Sequence, residues 1–143
     1  MCFSKNVCNY TEEGRKKIHS LQKAIDPLML QHLMRNPIRG QSAELNDNRI
    51  SLYIAQRGKC ALTGQPLEMH NMEVHHIVSR HAGGSDKYEN LALILPDAHK
   101  LIHAVQEEII EKYLDKLQCF DIHFQRLNKM RKRLGFSGID TNR

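Results

Sequence analysis

The sequence predicts an α+β protein that is mainly helical and contains one pair of short strands. Helical periodicity of apolar residues covers most of the chain, whereas only residues 72–78 and 91–95 have the character of strands. The second run leads directly into a helical segment, which gives the order strand, loop, strand, helix. At 143 residues, the chain is long enough for one ordinary domain with a modest core.

Three helices are predicted before the strands. Thr11 can cap the first, whose opening turn carries two glutamates at the positive end of the helix dipole. Pro27 is expected to begin the second helix, residues 27–34, because proline is tolerated in a first turn. Ser42 can cap the third helix, which Gly58 stops. The part of the chain before the strands is therefore expected to be helical.

Two further helices are predicted after the strands begin. Asp97 is expected to cap a helix that runs to about Leu117, and a last helix covers roughly residues 121–134. A glycine-centred loop, residues 81–85, joins the two strands. Residues 136–143 are expected to form a frayed tail.

Charge is divided unevenly along the chain. Residues 1–59 carry a net charge of +5, residues 60–120 carry −4, and residues 121–143 carry +4. An acidic centre is thus flanked by two basic arms. If the partner is nucleic acid, its phosphates should bind mainly to the arms, and binding should weaken strongly with salt. The alternative is that both arms are simply solvated.

The composition is that of a soluble protein. The longest uninterrupted apolar run, residues 91–96, is far too short to span a bilayer, and the first residues lack the apolar core of a secretory signal. The four cysteines have neither a disulfide-like nor a Cys-x-x-Cys spacing. We therefore expect a reduced, cytoplasmic setting and no membrane partner.

The histidines form the most informative pattern. Five of the nine fall between residues 75 and 103. His99 and His103 are four residues apart, so a helix places both rings on one face, whereas His75 and His76 point to opposite faces of a strand. The pattern predicts a metal site of His75, His99 and His103 with open positions for water and phosphate. His76 would then deprotonate the attacking water, which indicates phosphodiester cleavage.

The loop between the strands carries two more features of interest. Asn90 stands at its end, where a side-chain amide can bind backbone groups across the loop and hold the strand and His76 in place. Gly83 and Gly84 allow backbone dihedrals that other residues avoid, and such a loop can let a phosphate backbone approach closely.

Basic residues near the site and on the last helix are candidates for contacting nucleic acid. Arg80 lies in the loop, where a phosphate contact and a solvated cation are equally compatible with its position. DNA contact and plain solvation are likewise both open for the cluster on the last helix, which comprises Lys129, Arg131, Lys132 and Arg133.

These residues resemble a known motif. The segments Val74-His75-His76-Ile77, Gly83-Gly84, Asn90-Leu91 and His99-x3-His103 resemble the HNH nuclease motif, which lies on the ββα-metal (His-Me finger) fold. The resemblance is closest to the C-terminal DNA-binding and endonuclease region of bacterial group II intron-encoded reverse transcriptase/maturase proteins. It covers about residues 10–135 and is supported by residues 10–15, 35–37, 46–49 and 57–64. It implies a mainly helical α+β fold with a small ββα-metal core.

The resemblance also implies catalytic roles. His76 matches the general base of the motif, and Asn90 matches the asparagine that braces this base. In the intron proteins the domain nicks the second DNA strand and leaves a 3′ hydroxyl from which the reverse transcriptase primes. Activity on double-stranded DNA follows as an expectation, with intron RNA and a separate reverse transcriptase/maturase as further expected partners.

The same resemblance implies one divalent metal ion. His75 and His99 match the ligands beside the base and on the helix, and His103 matches an additional ligand found in some branches. Glu73 occupies a position where other branches place a carboxylate ligand. The family leads us to expect Mg²⁺ or Mn²⁺, whereas three imidazoles are also compatible with Zn²⁺ or Ni²⁺. A second, structural zinc is not expected, because Cys60 stands without the other cysteines of a zinc knuckle.

Together these patterns predict three regions and one function. Residues 1–57 are expected to be a helical, basic DNA-binding arm, residues 58–118 the HNH ββα-metal core, and residues 119–143 a basic C-terminal helix and tail. The predicted function is a metal-dependent HNH DNA endonuclease that nicks one strand in a group II intron mobility setting. Two alternatives stay open, namely a non-catalytic, metal-stabilised DNA-binding module and an accessory domain that is active only when docked on a separate reverse transcriptase.

Overall fold

The computed structural model describes residues 26–140, and in this part of the chain it contains five helices and one two-stranded antiparallel sheet. The fold is therefore α+β and mainly helical, as predicted, with the order strand, loop, strand, helix at its centre. The elements in chain order are α1 (Pro27–Arg35), α2 (Ala43–Ala55), β1 (Glu73–His76), β2 (Leu91–Ile94), α3 (Pro96–His103), α4 (Glu107–Lys116) and α5 (Phe124–Arg133).

The first two described helices begin where the sequence predicts. The Asp26 side chain accepts a hydrogen bond from the Leu28 backbone N–H at the start of α1, in which Pro27 occupies the first turn. The Ser42 hydroxyl accepts from the Leu45 N–H at 3.0 Å and so caps α2. The helix predicted to begin at residue 11 lies outside the described residues.

The sheet forms the centre of the core. His75 lies opposite Ala92 and His76 opposite Leu91, and all four residues of β2 are buried. Helix α2 packs against β2, while α3 packs against β1, α4 and α5. None of the helices in residues 26–140 combines the length and apolar character that crossing a lipid bilayer would require.

Hydrogen bonds join the segment before β1 to the sheet. The buried Cys60 sulfur accepts from the backbone N–H groups of Leu62 and Leu95, at 3.4 and 3.3 Å. The Gln56 side chain pairs with both backbone groups of Leu93, because its Nε2 donates to the carbonyl at 2.9 Å and its Oε1 accepts from the N–H at 3.0 Å. The Gln56 side chain, at the C-terminal cap of α2, thus binds β2 with the two hydrogen bonds that a neighbouring strand would make.

The single helix predicted from Asp97 to Leu117 is wrong, because the structure has two helices here. Helix α3 ends at His103, where extended backbone at Ala104 breaks the helix before α4 begins at Glu107. Asp97 lies in the first turn of α3 without capping it, since the N-cap residue is Leu95 and no side chain caps this end. The break lies where the C-terminal carbonyls of α3 bind a buried side chain from α5 instead of continuing the helix.

The predicted frayed tail is also wrong for residues 136–140. Ile139 is buried, and its backbone N–H and carbonyl both bind the Asn128 side chain, at 2.7 and 3.0 Å. This paired contact fixes the segment against α5, because both backbone groups are satisfied by one amide. Residues 141–143 lie outside the described part of the chain.

Candidate metal centre and active site

Three histidines converge between β1 and α3. His75 on the strand and His99 and His103 on the helix each offer one ring nitrogen, and these nitrogens all lie within 4.8 Å of one another. The ring centroids are 4.9 to 5.7 Å apart. Metal–imidazole bonds of about 2.0–2.1 Å fit such a group after small side-chain movements. The structure thus brings together the three imidazoles that the sequence predicts as ligands, and their positions can hold one metal ion.

The environment of His75 supports metal binding. The side chain is 1% exposed, and neither ring nitrogen has a hydrogen-bond partner among the described residues. Burying an unpaired polar group costs about 1–3 kcal/mol, so a bound ion would give one of these two nitrogens the partner it lacks. Burial, with smaller contributions from His99, His103 and His76, lowers the pKa of His75 to about 3. The neutral ring is the form that binds a metal.

His103 has the same tendency. Burial, followed by the nearby His99 and Arg131, lowers its pKa below the ordinary value for histidine. Both His75 and His103 therefore favour the neutral form that binds a metal. A borderline-soft divalent ion fits the imidazoles most directly.

Glu73, the fourth residue predicted as a ligand, is not among the three converging groups. Its Oε1 instead lies 2.8 Å from Nδ1 of His99. A carboxylate can only accept, so Nδ1 carries the hydrogen and Nε2 of His99 is left with a lone pair. The contact fixes the ring and its tautomer, as carboxylates commonly do behind metal-binding histidines.

His76 lies on the opposite face of β1 in a charged environment. Its Nε2 is 2.8 Å from Oδ1 of Asp86, and the two side chains are 17% and 16% exposed. Asp86 also accepts from the Ser42 hydroxyl at 2.6 Å and from Arg80 Nη2 at 3.1 Å. The hydrogen bonds from Ser42, His76 and Arg80 lower the pKa of Asp86 to about 2. The partner of His76 is therefore an ionised carboxylate at neutral pH.

Sequence reasoning missed Asp86. The only signal was an acidic residue ten positions after His76, directly after the glycine-centred loop. Such spacing has no fixed meaning in a loop, and Ser42 is forty-four residues away in sequence. Only the packing of α2 beside this loop brings the three groups together.

Asn90 closes the loop that contains Asp86. Its Oδ1 accepts from the Val78 N–H at 2.8 Å, and its Nδ2 donates to the carbonyls of Val78 and Ser85 at 3.1 and 2.7 Å. Gly84 passes so close to the strand end that a Cβ there would lie 1.7 Å from the Val78 carbonyl oxygen. The amide and this glycine together hold the loop against the end of β1, where His76 stands.

Arg80 lies beside His76, at the edge of the site. Its guanidinium donates to Gln41 and Asp86, and its Nε lies 3.3 Å from Nε2 of His76. The side chain is 47% exposed, so the rest of the guanidinium can reach solvent or a ligand. Its position suits a phosphate contact close to the predicted base.

Arg131 is a correction to the predicted DNA-binding cluster. The side chain is 2% exposed, and its guanidinium is occupied by backbone carbonyls. Nε donates to Ser137 at 2.9 Å, and burial lowers the pKa of the group. Helical spacing turns residue 131 towards the core between Leu127 and Met130. Nη1 donates to three carbonyls at the end of α3, those of Leu101, Ile102 and Ala104, at 2.8, 3.2 and 2.6 Å. Arg131 therefore anchors the helix that carries His99 and His103, and it cannot also contact DNA.

The other basic residues of α5 are exposed. Lys129 and Arg133 line a cleft of about 480 Å³ between α5 and the end of β1, which also contains Ile77 and Asn90. Arg126 lines the same cleft and was missed by sequence reasoning, although its spacing of three and seven residues from Lys129 and Arg133 places it on their face of the helix. Lys132 is exposed outside this set.

Comparison with known proteins identifies the segment that carries the site. Residues 59–104 match the family described as HNH endonuclease. A segment of 83 residues, 56% of this chain, is 38% identical to the CRISPR-associated endonuclease Cas9 of Listeria innocua. The chain spans about 6% of the length of that relative. The family match contains the three converging histidines as well as His76 and its partner Asp86.

Proposed function

We propose that the chain is a metal-dependent DNA endonuclease that hydrolyses phosphodiester bonds and nicks one strand, because residues 59–104 match the HNH endonuclease family. One observation carries this proposal. Strand β1 presents His75 to a group of three imidazoles on one side and His76, held by a carboxylate, on the other. A cation site beside an unligated histidine supplies charge stabilisation and a general base, two contributions that catalyse phosphodiester hydrolysis.

His75, His99 and His103 are the residues that would hold the divalent ion. When bound, the ion would stabilise negative charge on the phosphate and on the departing 3′ oxygen. Glu73 orients the His99 ring, and Arg131 anchors the end of α3, so both act through the ligands. Mg²⁺ or Mn²⁺ follows from the resemblance in sequence, and Zn²⁺ or Ni²⁺ from the donor set.

We assign the general base to His76. Its ring takes a proton from a water molecule while the water oxygen forms a bond to phosphorus. The bond between phosphorus and the 3′ oxygen breaks, its electron pair stays on that oxygen, and a solvent proton completes the 3′ hydroxyl. The other product end carries a 5′ phosphate. Asn90 positions the loop beside His76 and takes no part in the chemistry.

We propose that the DNA backbone lies along the exposed cations of α5 and reaches the site past Arg80. The cleft between α5 and the end of β1 carries Arg126, Lys129 and Arg133 against one acidic residue, Glu89. Residues 58–118 would then be a nuclease core between two DNA-binding arms, residues 1–57 and 119–143. Such contacts are to phosphates and give affinity without sequence preference.

A group II intron setting in the cytoplasm is the finer part of the proposal, and it rests on the resemblance of residues 10–15, 35–37, 46–49 and 57–64 alone. It predicts that a group II reverse transcriptase with its intron RNA will bind this chain and direct its nick to the intron target. A pull-down would test binding of the chain to the particle that the reverse transcriptase forms with its intron RNA. Primer extension would map the nick that this particle makes on the intron target and on a scrambled target. Equal nicking of both targets would count against the setting and leave the nuclease proposal untouched.

Nicking of supercoiled plasmid tests the function itself. The wild-type chain should nick with at least one ion of a panel of Mg²⁺, Mn²⁺, Zn²⁺ and Ni²⁺. His76→Ala should lose about a hundredfold or more of this activity, because the base is removed, while metal and DNA binding persist. His81→Ala, an exposed histidine of the same loop, is the matched control and should nick normally. Undiminished nicking by His76→Ala would exclude this base and favour the non-catalytic binding module.

A further inference from the structure

We propose that Asp86 is a positioning residue that holds His76 in the tautomer with hydrogen on Nε2, so that Nδ1 is the nitrogen that receives the proton from water. The catalytic consequence rests on the proposed function. The tautomer itself follows from the contacts of the ring.

Two groups lie within hydrogen-bond distance of Nε2 of His76. One requires this nitrogen to carry a hydrogen, and the other requires it to carry none. Oδ1 of Asp86, at 2.8 Å, can only accept a hydrogen, whereas Nε of Arg80, at 3.3 Å, can only donate one. The carboxylate is the closer group. The Arg80 guanidinium also donates to this carboxylate and to Gln41, so its charge is already compensated. Nε2 therefore carries the hydrogen, and Nδ1, which bonds to none of the described residues, keeps its lone pair.

Asp86 is itself fixed by α2. The Ser42 hydroxyl accepts from the Leu45 N–H as the cap of that helix, which leaves its own hydrogen to donate to Oδ2 of Asp86. Six residues after Ser42, the Asn48 side chain donates to the Asp86 backbone carbonyl at 2.8 Å. Side chain and backbone of Asp86 are thus both held by a helix that lies outside the residues matched to the HNH family.

This arrangement has a defined effect on the proton transfer. When Nδ1 takes the proton, the ring becomes an imidazolium whose Nε2–H already points at an ionised carboxylate. Asp86 stabilises that charge and takes up no proton, while Ser42 and Asn48 keep it from rotating away. The preorganised partner holds the ring in one tautomer and one orientation without contacting the substrate.

The tautomer can be measured without any activity. Long-range ¹H–¹⁵N correlation spectra of the ¹⁵N-labelled full chain in Mg²⁺ buffer, at a pH where the ring is neutral, distinguish protonated from unprotonated ring nitrogens. The wild type should show a protonated Nε2 and an unprotonated Nδ1 at His76. Asp86→Ala should give a mixture of tautomers, and Glu89→Gln, an acidic residue of the same loop without this contact, should match the wild type. A wild-type ring with hydrogen on Nδ1 would overturn the proposal.

Kinetics give the second readout. Asp86→Ala should lower kcat about tenfold to a hundredfold, with KM for plasmid and metal affinity within about twofold, as is typical when an outer partner is lost. Ser42→Ala should have a smaller effect of the same kind, and Ser42→Thr, which keeps the hydroxyl, should restore the rate. Asp86→Asn keeps an acceptor and a similar shape, so it should keep the tautomer and still lose rate through the lost charge.

The two proposals fail in distinguishable ways. If the chain shows the predicted tautomer but nicks plasmid with none of the metal ions tested, the result would support the positioning of His76 and contradict the nuclease proposal. Nicking that depends on His76 but is unchanged in a well-folded Asp86→Ala variant would support the nuclease and contradict the role of Asp86.

Discussion

The two faces of β1 give adjacent histidines opposite environments. His75 is 1% exposed, has no hydrogen-bond partner among the described residues, and faces two further imidazoles. His76 is 17% exposed and lies on an ionised carboxylate. The first is suited to a cation, whereas the ring of the second is oriented by its carboxylate partner. Two adjacent residues thus have environments that suit two different chemical roles, because successive side chains of a strand point to opposite sides.

The two faces also depend on different supporting elements. The His75 face is completed by α3, whose end is anchored by Arg131 of α5. The His76 face is completed by the loop before β2 and by Ser42 and Asn48 of α2. Substitutions on one side should therefore change metal binding, and those on the other should change proton transfer. The following predictions test this separation.

The largest expected effect is on metal affinity. His99→Ala removes one of three ligands and should weaken binding by more than about a hundredfold, since even the loss of an outer partner costs about ten- to a hundredfold. Isothermal titration calorimetry against the ions that support nicking measures this. His76→Ala should titrate like the wild type. An unchanged isotherm for His99→Ala would contradict the assignment of His99 as a metal ligand.

Removal of Arg131 should destabilise the whole fold. Arg131→Ala leaves three carbonyls at the end of α3 unpaired in the interior, which should lower the free energy of unfolding by about 2–3 kcal/mol. Urea unfolding monitored by circular dichroism measures the loss. Lys132→Ala, exposed on the same helix, should stay within about 0.5 kcal/mol of the wild type. Equal stability of the two variants would mean that α3 does not need this anchor.

Glu73 should affect the metal through His99 alone. Glu73→Ala frees the His99 ring, and metal affinity should fall about tenfold. Calorimetry in parallel with Glu68→Ala, an exposed glutamate before the strand, gives the matched comparison. A loss as large as that of His99→Ala would instead make Glu73 a ligand.

The exposed cations of α5 should contribute modestly to DNA affinity. Lys129→Ala should reduce the slope of log affinity against log salt by about one, because one phosphate contact is lost. Fluorescence anisotropy with a labelled duplex at several salt concentrations measures the slope. Lys112→Ala, on α4 and outside the cleft, should leave it unchanged. Identical slopes for both variants would contradict the proposal that DNA binds along this cleft.

The smallest effect concerns acid stability on the His76 face. The pKa of Asp86 is about 2 in the folded chain against an ordinary value of 3.8, so its ionised form favours folding. This contribution is fully present above pH 3.8 and is lost as the pH falls towards 2. The difference in unfolding free energy between wild type and Asp86→Asn should therefore shrink as the pH falls from about 4.5 towards 2. A difference that grows over this range would contradict the stabilising role of the ionised Asp86.

The sequence was sufficient where local chemistry decides the structure. Pro27 and Ser42 begin their helices as predicted, because caps act within a few residues. The convergence of the three imidazoles could also be predicted. The i,i+4 spacing fixes His99 and His103 on one face of α3, strand alternation fixes the side of His75, and β1 and α3 then only have to pack together. Contacts distant in sequence escaped prediction. Asp86 contacts His76 only because Asn90 holds the intervening loop closed. Arg131 resembles a surface cation in the sequence, and only the packing of α3 against α5 shows that it is buried.

A crystal structure of the chain soaked with Mn²⁺, with anomalous diffraction to locate the ion, tests the separation of the two histidines most directly. It should show one anomalous peak at bonding distance from nitrogens of His75, His99 and His103, with His76 unligated and still on Asp86. A peak bonded to His76, or an ion in the crystal that avoids the three imidazoles, would contradict the account.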